Sequence, residues 1–265
     1  MRFLTIASGS SGNSIFVGSD KTNILLDAGI SGKKTIEGLK KAEIKPEEID
    51  AILITHEHSD HIKGLGVLAR KYEIPIYASK GTIKGILNTP SLGEIDSFLF
   101  NEIKAGKGFK IKDMVIEPVK VSHDAFEPLA YTFFSNERRA GVITDLGFYD
   151  ENIIKAFSNL DVYLCEANHD VRMLEAGPYP YLLKRRILGP LGHLSNENSG
   201  QMISSFLSDN VKHIFLGHLS RENNLPELAY ETVRLEITHS DTKYTGNDFP
   251  ITVASRSEPG PLIEW

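Results

Sequence analysis

The chain has one cysteine, Cys165, among 265 residues, so no disulfide can close within it and a reducing compartment is the simplest setting. An excess of basic residues is also missing: 35 acidic residues against 29 lysines and arginines leave a formal charge of -6. That excludes a uniformly basic nucleic-acid-binding surface, though not a local one. No run approaches the ~18 consecutive apolar residues that a membrane span needs. The N-terminus offers only Arg2 and a short apolar stretch before Gly9-Ser10-Ser11-Gly12, which is not the pattern of a secretory signal, and a cytoplasmic location is expected. Repeats, low-complexity tracts and Pro/Gly-rich linkers are lacking as well, so a single domain over residues 1–265 is expected.

What is present suits a large α/β core, with 41% hydrophobic and 24% charged residues. The runs Asn23-Ile24-Leu25-Leu26-Asp27, Ala51-Ile52-Leu53-Ile54-Thr55, Asp161-Val162-Tyr163-Leu164-Cys165 and Lys212-His213-Ile214-Phe215-Leu216 are short, apolar and bounded by polar residues or glycine, as buried strands are. Between them Thr35 to Ala42, Gly66 to Tyr72, Asn152 to Phe157, Ser199 to Leu207 and Glu227 to Ile237 have helical spacing. Segments 110–121 and 129–145 read as consecutive strands, with a turn in Asn136-Glu137-Arg138-Arg139 that predicts antiparallel pairing in mid-chain. The stretch around Ser257-Glu258-Pro259-Gly260-Pro261 is expected to be a loose tail. Lys184-Arg185-Arg186 and Arg138-Arg139 are the short basic clusters.

The polar residues fall at strand ends. Asp27, His56, His123, Asp145, Glu166 and His218 each follow an apolar run, where α/β folds place their chemistry. In His56-Glu57-His58-Ser59-Asp60-His61 four potential ligands occupy six positions. The two imidazoles separated by one residue can turn the same way as a strand runs out, while Asp60 and His61 face a second point as the chain enters a helix. Four such residues directly after a buried strand would carry a desolvation cost unless something bound them. Two metal sites need further ligands, and His123, Asp145 and His218 are the candidates.

Read together, these residues resemble the metallo-β-lactamase superfamily, whose five motifs occur in order as Asp27, the His56 to His61 block, His123, Asp145 and His218. The resemblance implies a four-layer αββα sandwich of two mixed sheets flanked by helices. It also implies that His56, His58 and His123 hold one divalent ion and Asp60, His61 and His218 a second, with Asp145 bridging. Asp27 would receive the free ring N–H of a ligand histidine. Ala7-Ser8-Gly9-Ser10-Ser11-Gly12-Asn13-Ser14, Asn168-His169-Asp170, Gly192-His193-Leu194-Ser195-Asn196 and Gly217-His218-Leu219-Ser220-Arg221-Glu222-Asn223-Asn224 further resemble the YycJ/WalJ family, described as 5'-to-3' DNA exonucleases. Glu166-Ala167 and Gly192-His193-Leu194-Ser195 also resemble the Glu-Ala and Gly-His-Ser motifs of tRNase Z-like phosphodiesterases, with Leu194 as an intervening departure.

The expected function is phosphodiester cleavage by a hydroxide that two divalent ions activate at neutral pH. Zinc or manganese suits the ligand set, and iron is compatible. The substrate is expected to be nucleic acid, DNA ahead of RNA, with no membrane partner and no reading of oligomeric state. His193, held by Glu166, is the candidate general acid for the leaving alkoxide, and Asp60 is expected to serve in catalysis as well as in ligation. His193 capping a helix near Ser195 is the structural alternative. His169 is a weaker candidate for lining the site. The Ser8 to Asn13 loop fits either a phosphate cradle or a plain tight hairpin. The rival enzymatic readings are a tRNase Z-type RNA nuclease and an acyl-bond hydrolase acting on a thioester or lactam.

Overall fold

The computed structural model describes all 265 residues, Met1–Trp265. The first stretch runs β1 (Arg2–Ala7), β2 (Ser14–Gly18), β3 (Asn23–Leu26), α1 (Gly32–Leu39), β4 (Ala51–Leu53), α2 (Ser59–Ile62), α3 (Leu65–Tyr72), β5 (Ile76–Ser79), α4 (Lys80–Leu87) and β6 (Phe100–Ile103). The middle stretch holds β7 (Phe109–Ile111), β8 (Met114–Lys120), β9 (Leu129–Ser135), β10 (Arg138–Ile143), α5 (Glu151–Phe157) and β11 (Val162–Glu166). The chain ends with α6 (Val171–Ala176), α7 (Tyr181–Ile187), α8 (Asn196–Phe206), β12 (His213–Gly217), α9 (Pro226–His239), β13 (Ile251–Val253) and β14 (Ile263–Glu264). The strands form two mixed sheets of seven, the pair of mixed sheets that the superfamily resemblance implied. No helix is long and apolar enough to cross a membrane.

Two compact units divide the chain: Met1–Lys120, Ala125–Arg138 and Ser255–Trp265 make the first, and Val121–Asp124 with Arg139–Ala254 the second. In the first unit β14, β1, β2 and β3 pair antiparallel and β3, β4, β5 and β6 parallel. The parallel strands are buried along their length, so they read as continuous apolar runs rather than alternating ones. Strand β8 does alternate, with Met114, Ile116 and Pro118 buried between exposed Val115 and Glu117, because only one of its faces is covered. Within this unit the β7–β9 meander is tied to the first sheet by the Tyr131 hydroxyl, which donates to Ile54 O at 2.7 Å. Ser19 and Thr22 add hydroxyl bonds to Asp113, each 2.6 Å.

Two expectations are corrected here. Segment 110–121 is two strands rather than one: Lys112 takes a left-handed conformation, φ 48°, and turns β7 into β8, with Phe109 opposite Ile116. The segment after Ser255 is not a loose tail. Ser8 N donates to Ser255 O, Gly260 N donates to Thr5 O, and β14 closes the edge of the sheet with Phe3 opposite Ile263. Covering β1 in this way removes an unpaired row of backbone donors and acceptors that would otherwise invite aggregation.

In the second unit β10, β11, β12 and β13 run parallel, with α8 packed on α9. Tyr163, Leu164, Cys165, Ile214, Phe215 and Leu216 are completely buried. Burial pushes the Cys165 thiol far above its usual range, which leaves it inert as a nucleophile.

Candidate active site

Three strands end in the same way. Asp27 after β3, Asp145 after β10 and His218 after β12 all adopt left-handed backbone, with φ of 59°, 60° and 55°. For a residue bearing a Cβ this costs roughly 1 kcal/mol or more and persists only where its surroundings enforce it. Each kink turns the chain sharply away from its sheet, and each kinked residue is a predicted site residue.

In the first unit Asp27 collects the residues of the His56 to His61 block. Its Oδ1 accepts from Thr55 N at 2.9 Å and its Oδ2 meets His61 Nδ1 at 2.8 Å. The Thr55 hydroxyl lies 3.0 Å from both Asp27 Oδ2 and His56 Nδ1. Burial pushes the Asp27 carboxyl up, and His61 and Thr55 offset this only in part. The rings of His56 and His58 are 4.6 Å apart between centroids, and those of His56 and His61 4.1 Å. Asp60 Oδ2 lies 3.5 Å from His61 Nε2.

Asn13, which was not singled out as a site residue, settles the tautomer of His61. Gly9 N and the Ser8 hydroxyl donate to Asn13 Oδ1 at 2.9 and 3.2 Å, which directs the amide nitrogen toward His61 Nε2 at 3.1 Å. An amide nitrogen can only donate, so Nε2 carries the lone pair and Nδ1 the proton given to Asp27. A carboxylate behind one ring nitrogen and a lone pair on the other is the state of a metal-bound histidine. The Ser8 to Asn13 loop therefore acts through Asn13 to orient a ring, and Gly12 N closes a tight turn onto Gly9 O at 3.0 Å.

The second unit is organised by Glu166, at the end of β11 and completely buried. Its Oε1 meets His218 Nδ1 at 2.8 Å, His193 Nδ1 at 2.9 Å and Asp145 N at 3.2 Å. Its Oε2 accepts from Leu194 N at 3.0 Å and Leu146 N at 3.2 Å. Burial alone would raise this carboxyl; His193 and His218 more than reverse it and hold it well below the usual carboxylate range. Leu194 does not disturb the grip on His193, because its own backbone N–H is one of the five donors. Ser195 takes over the capping of α8, accepting from Asn198 N, so His193 is not the cap.

Around Glu166 lie Asp145, His218, His193 and His123. Asp145 Oδ1 is 3.4 Å from His218 Nε2 and 3.8 Å from His123 Nε2. His123 Nδ1 lies 3.1 Å from Gly192 O, so it carries the proton and Nε2 the lone pair. Asp145, Glu166, His193 and His218 each offer one ligand atom within 4.8 Å of the others. The His193 side chain keeps 16% exposure against 1% for His123 and 2% for His218, so it alone of the three can exchange a proton with a substrate or solvent. The donor set, imidazole nitrogens with lone pairs fixed by bonds at the opposite ring atom together with carboxylate oxygens, fits a divalent metal ion.

His169 has a different place. It is buried, its Nδ1 lies 3.3 Å from Asn168 Oδ1, its Nε2 has no hydrogen-bond partner, and its carbonyl accepts from Asn196 N. The surrounding asparagines form a brace: Asn168 Nδ2 donates to His218 O, and Asn224 Nδ2 donates to Ala167 O and Asn168 O. Burial lowers the His169 imidazole from 6.5 to about 4. A histidine buried neutral stabilises the fold above its unfolded pKa, and that contribution is lost as pH falls from 6.5 toward 4. Between pH 7 and 5 this amounts to about 2 kcal/mol. Urea titrations of the metal-free protein at both pH values are expected to show that drop, and His169→Asn to remove it. An equal drop in the variant would assign the acid lability to other groups.

Residues 22–214 match the model of the Beta-lactamase superfamily domain. The chain is 43% identical over 263 residues to Exodeoxyribonuclease WalJ of Streptococcus pneumoniae, covering 99% of this chain and 97% of that one. It is 42% identical to Exodeoxyribonuclease YycJ of Bacillus anthracis, covering 88% of each. The solved structure of the metallo-beta-lactamase fold protein YhfI from Bacillus subtilis superposes with a TM-score of 0.71 at 15% identity, over 98% of both chains. Two mixed seven-stranded sheets flanked by helices, carrying this ordered set of histidines and carboxylates, define a metallo-β-lactamase superfamily hydrolase. Within that superfamily the chain belongs to the family of the WalJ and YycJ exodeoxyribonucleases.

Proposed function

We propose that this protein is a metal-dependent phosphodiesterase that removes nucleotides from DNA in the 5'-to-3' direction, in the cytoplasm. The observation that carries the reading is Glu166 gripping both a deeply buried imidazole, His218, and a partly exposed one, His193. A carboxylate-held imidazole open to solvent is what protonation of a leaving alkoxide requires, and the kinship with two named exodeoxyribonucleases directs it to DNA.

In this proposal His56, His58, His123, Asp60, His61, His218 and Asp145 are the residues that would hold the divalent ions. When bound, the two ions lower the pKa of water at the site and neutralise the phosphate. The chain's own residues do the rest. Asp27 and Thr55 orient His61 and His56 from behind, and Glu166 fixes the ring of His218. His193 delivers its proton to the departing oxygen while Glu166 stabilises the charged imidazole. Asp60 takes part both as ligand and in placing the attacking water.

The test incubates zinc- or manganese-loaded protein with 5'-labelled and 3'-labelled single-stranded and duplex DNA, matched RNA, a β-lactam and a thioester, with His58→Ala as the blank. Ordered loss from the DNA 5' end, reduced by at least ~10³-fold in His58→Ala together with loss of bound metal, is the expected result. Hydrolysis of the thioester or lactam with DNA left intact would overturn it.

A further inference from the structure

The loop after β8 displays one large aromatic side chain. Phe126 is 65% exposed, yet its backbone is tightly held. Its N–H donates to Glu57 Oε1 at 2.8 Å, and Glu57 sits between His56 and His58 in the chain. Glu127 follows: its Oε2 accepts from Gly81 N at 2.8 Å and its carbonyl from the Ser79 hydroxyl at 2.8 Å. Leu129 N then donates to Thr55 O at 2.9 Å. The loop is thus fastened twice to the Thr55–Glu57 stretch and twice to the start of α4.

Helix α4 is shaped to receive it. A methyl group on Gly85 would lie 2.4 Å from Glu57 Cγ, and one on Gly81 would lie 2.7 Å from Glu127 Cβ and 3.1 Å from Phe126 Cβ. The two glycines, one helical turn apart, let the helix close on Glu57 and on the loop. Lys84 from the same helix places its ammonium 6.0 Å from the Phe126 ring centroid. The carboxylates of Glu57 and Glu127 are turned to backbone N–H groups of Phe126 and Gly81, and Lys84 is the cation set beside the ring.

A rigidly presented aromatic face, a cation beside it and a direct hydrogen bond to the metal-binding motif match what a single-stranded nucleic acid needs: a surface for a base and a charge for the backbone. We propose that Phe126 is a stacking platform for a nucleobase next to the bond being cut, that Lys84 takes a backbone phosphate, and that Glu57 is the positioning residue that holds the platform to the metal-binding motif. This rests on the nuclease reading above.

Two measurements test it. Equilibrium binding of labelled single-stranded oligonucleotides in EDTA, by fluorescence anisotropy, compares strands with normal bases and strands made abasic at successive positions. Phe126→Ala is expected to weaken binding of the normal strand about 5- to 100-fold, to leave the strand abasic at the stacked position unchanged, and to be rescued by Phe126→Trp. With metal-loaded protein the same variant is expected to raise KM by a similar factor with kcat nearly unchanged, while Glu57→Gln, which keeps an acceptor oxygen, retains more affinity than Glu57→Ala. Equal binding by Phe126→Ala and the natural protein, or equal losses on normal and abasic strands, would overturn the platform even if DNA is degraded. Base-dependent binding through Phe126 without any DNA turnover would support the platform and overturn the exonuclease reading instead.

Discussion

Glu166→Gln is expected to lower the unfolding free energy by about 3–5 kcal/mol, although the two side chains have nearly the same shape. The carboxylate receives five N–H groups, three at Oε1 and two at Oε2. An amide has one acceptor oxygen, so its NH₂ must face at least two donors whichever way it is turned. Those donors are buried, and leaving them unsatisfied costs more than the bonds themselves contributed. Urea denaturation of the metal-free variant should show a lower midpoint at unchanged slope. His218 and His193 lose their orienting partner at the same time, so metal affinity and DNA turnover are expected to fall by a further 10–100-fold each. A loss of stability under about 1 kcal/mol would mean that the natural carboxyl is not ionised in its pocket.

His193→Ala separates proton delivery from metal binding. General acid catalysis contributes about 10²–10⁴-fold, so kcat on DNA, where the leaving group is a sugar alkoxide, should fall by that factor. An aryl phosphodiester whose leaving phenolate needs little protonation should lose far less. Metal content should be preserved, because His193 is not among the proposed ligands. Equal losses on both substrates would reassign His193 to holding the phosphate or a metal ion.

Much of this was legible in the chain itself because local chemistry specified it. The apolar runs of β3, β4, β11 and β12 are short and continuous, which only buried strands require. The His56 to His61 block needed no fold to be noticed, since clustered ligands after a strand are costly without an ion to bind. The role of Asn13 was hidden. An asparagine in a serine and glycine loop has no distinguishing local signal, and its contact with His61 spans 48 positions. The β14 closure was missed for the same reason: a segment rich in proline and glycine looks unstructured until a distant sheet edge gives it a partner.

The amino-acid order by itself marked the candidate histidines and carboxylates and the strand ends that carry them, because these depend on residue chemistry and hydrophobic period. The tertiary structure decided the rest. It set the left-handed turns at Asp27, Asp145 and His218, the convergence of five donors on Glu166, and the anchoring of Phe126 through Glu57. None of these is a local preference. Each costs conformational free energy or desolvation where it occurs, and each survives because long-range packing and hydrogen bonds, formed only in the complete fold, offset that cost.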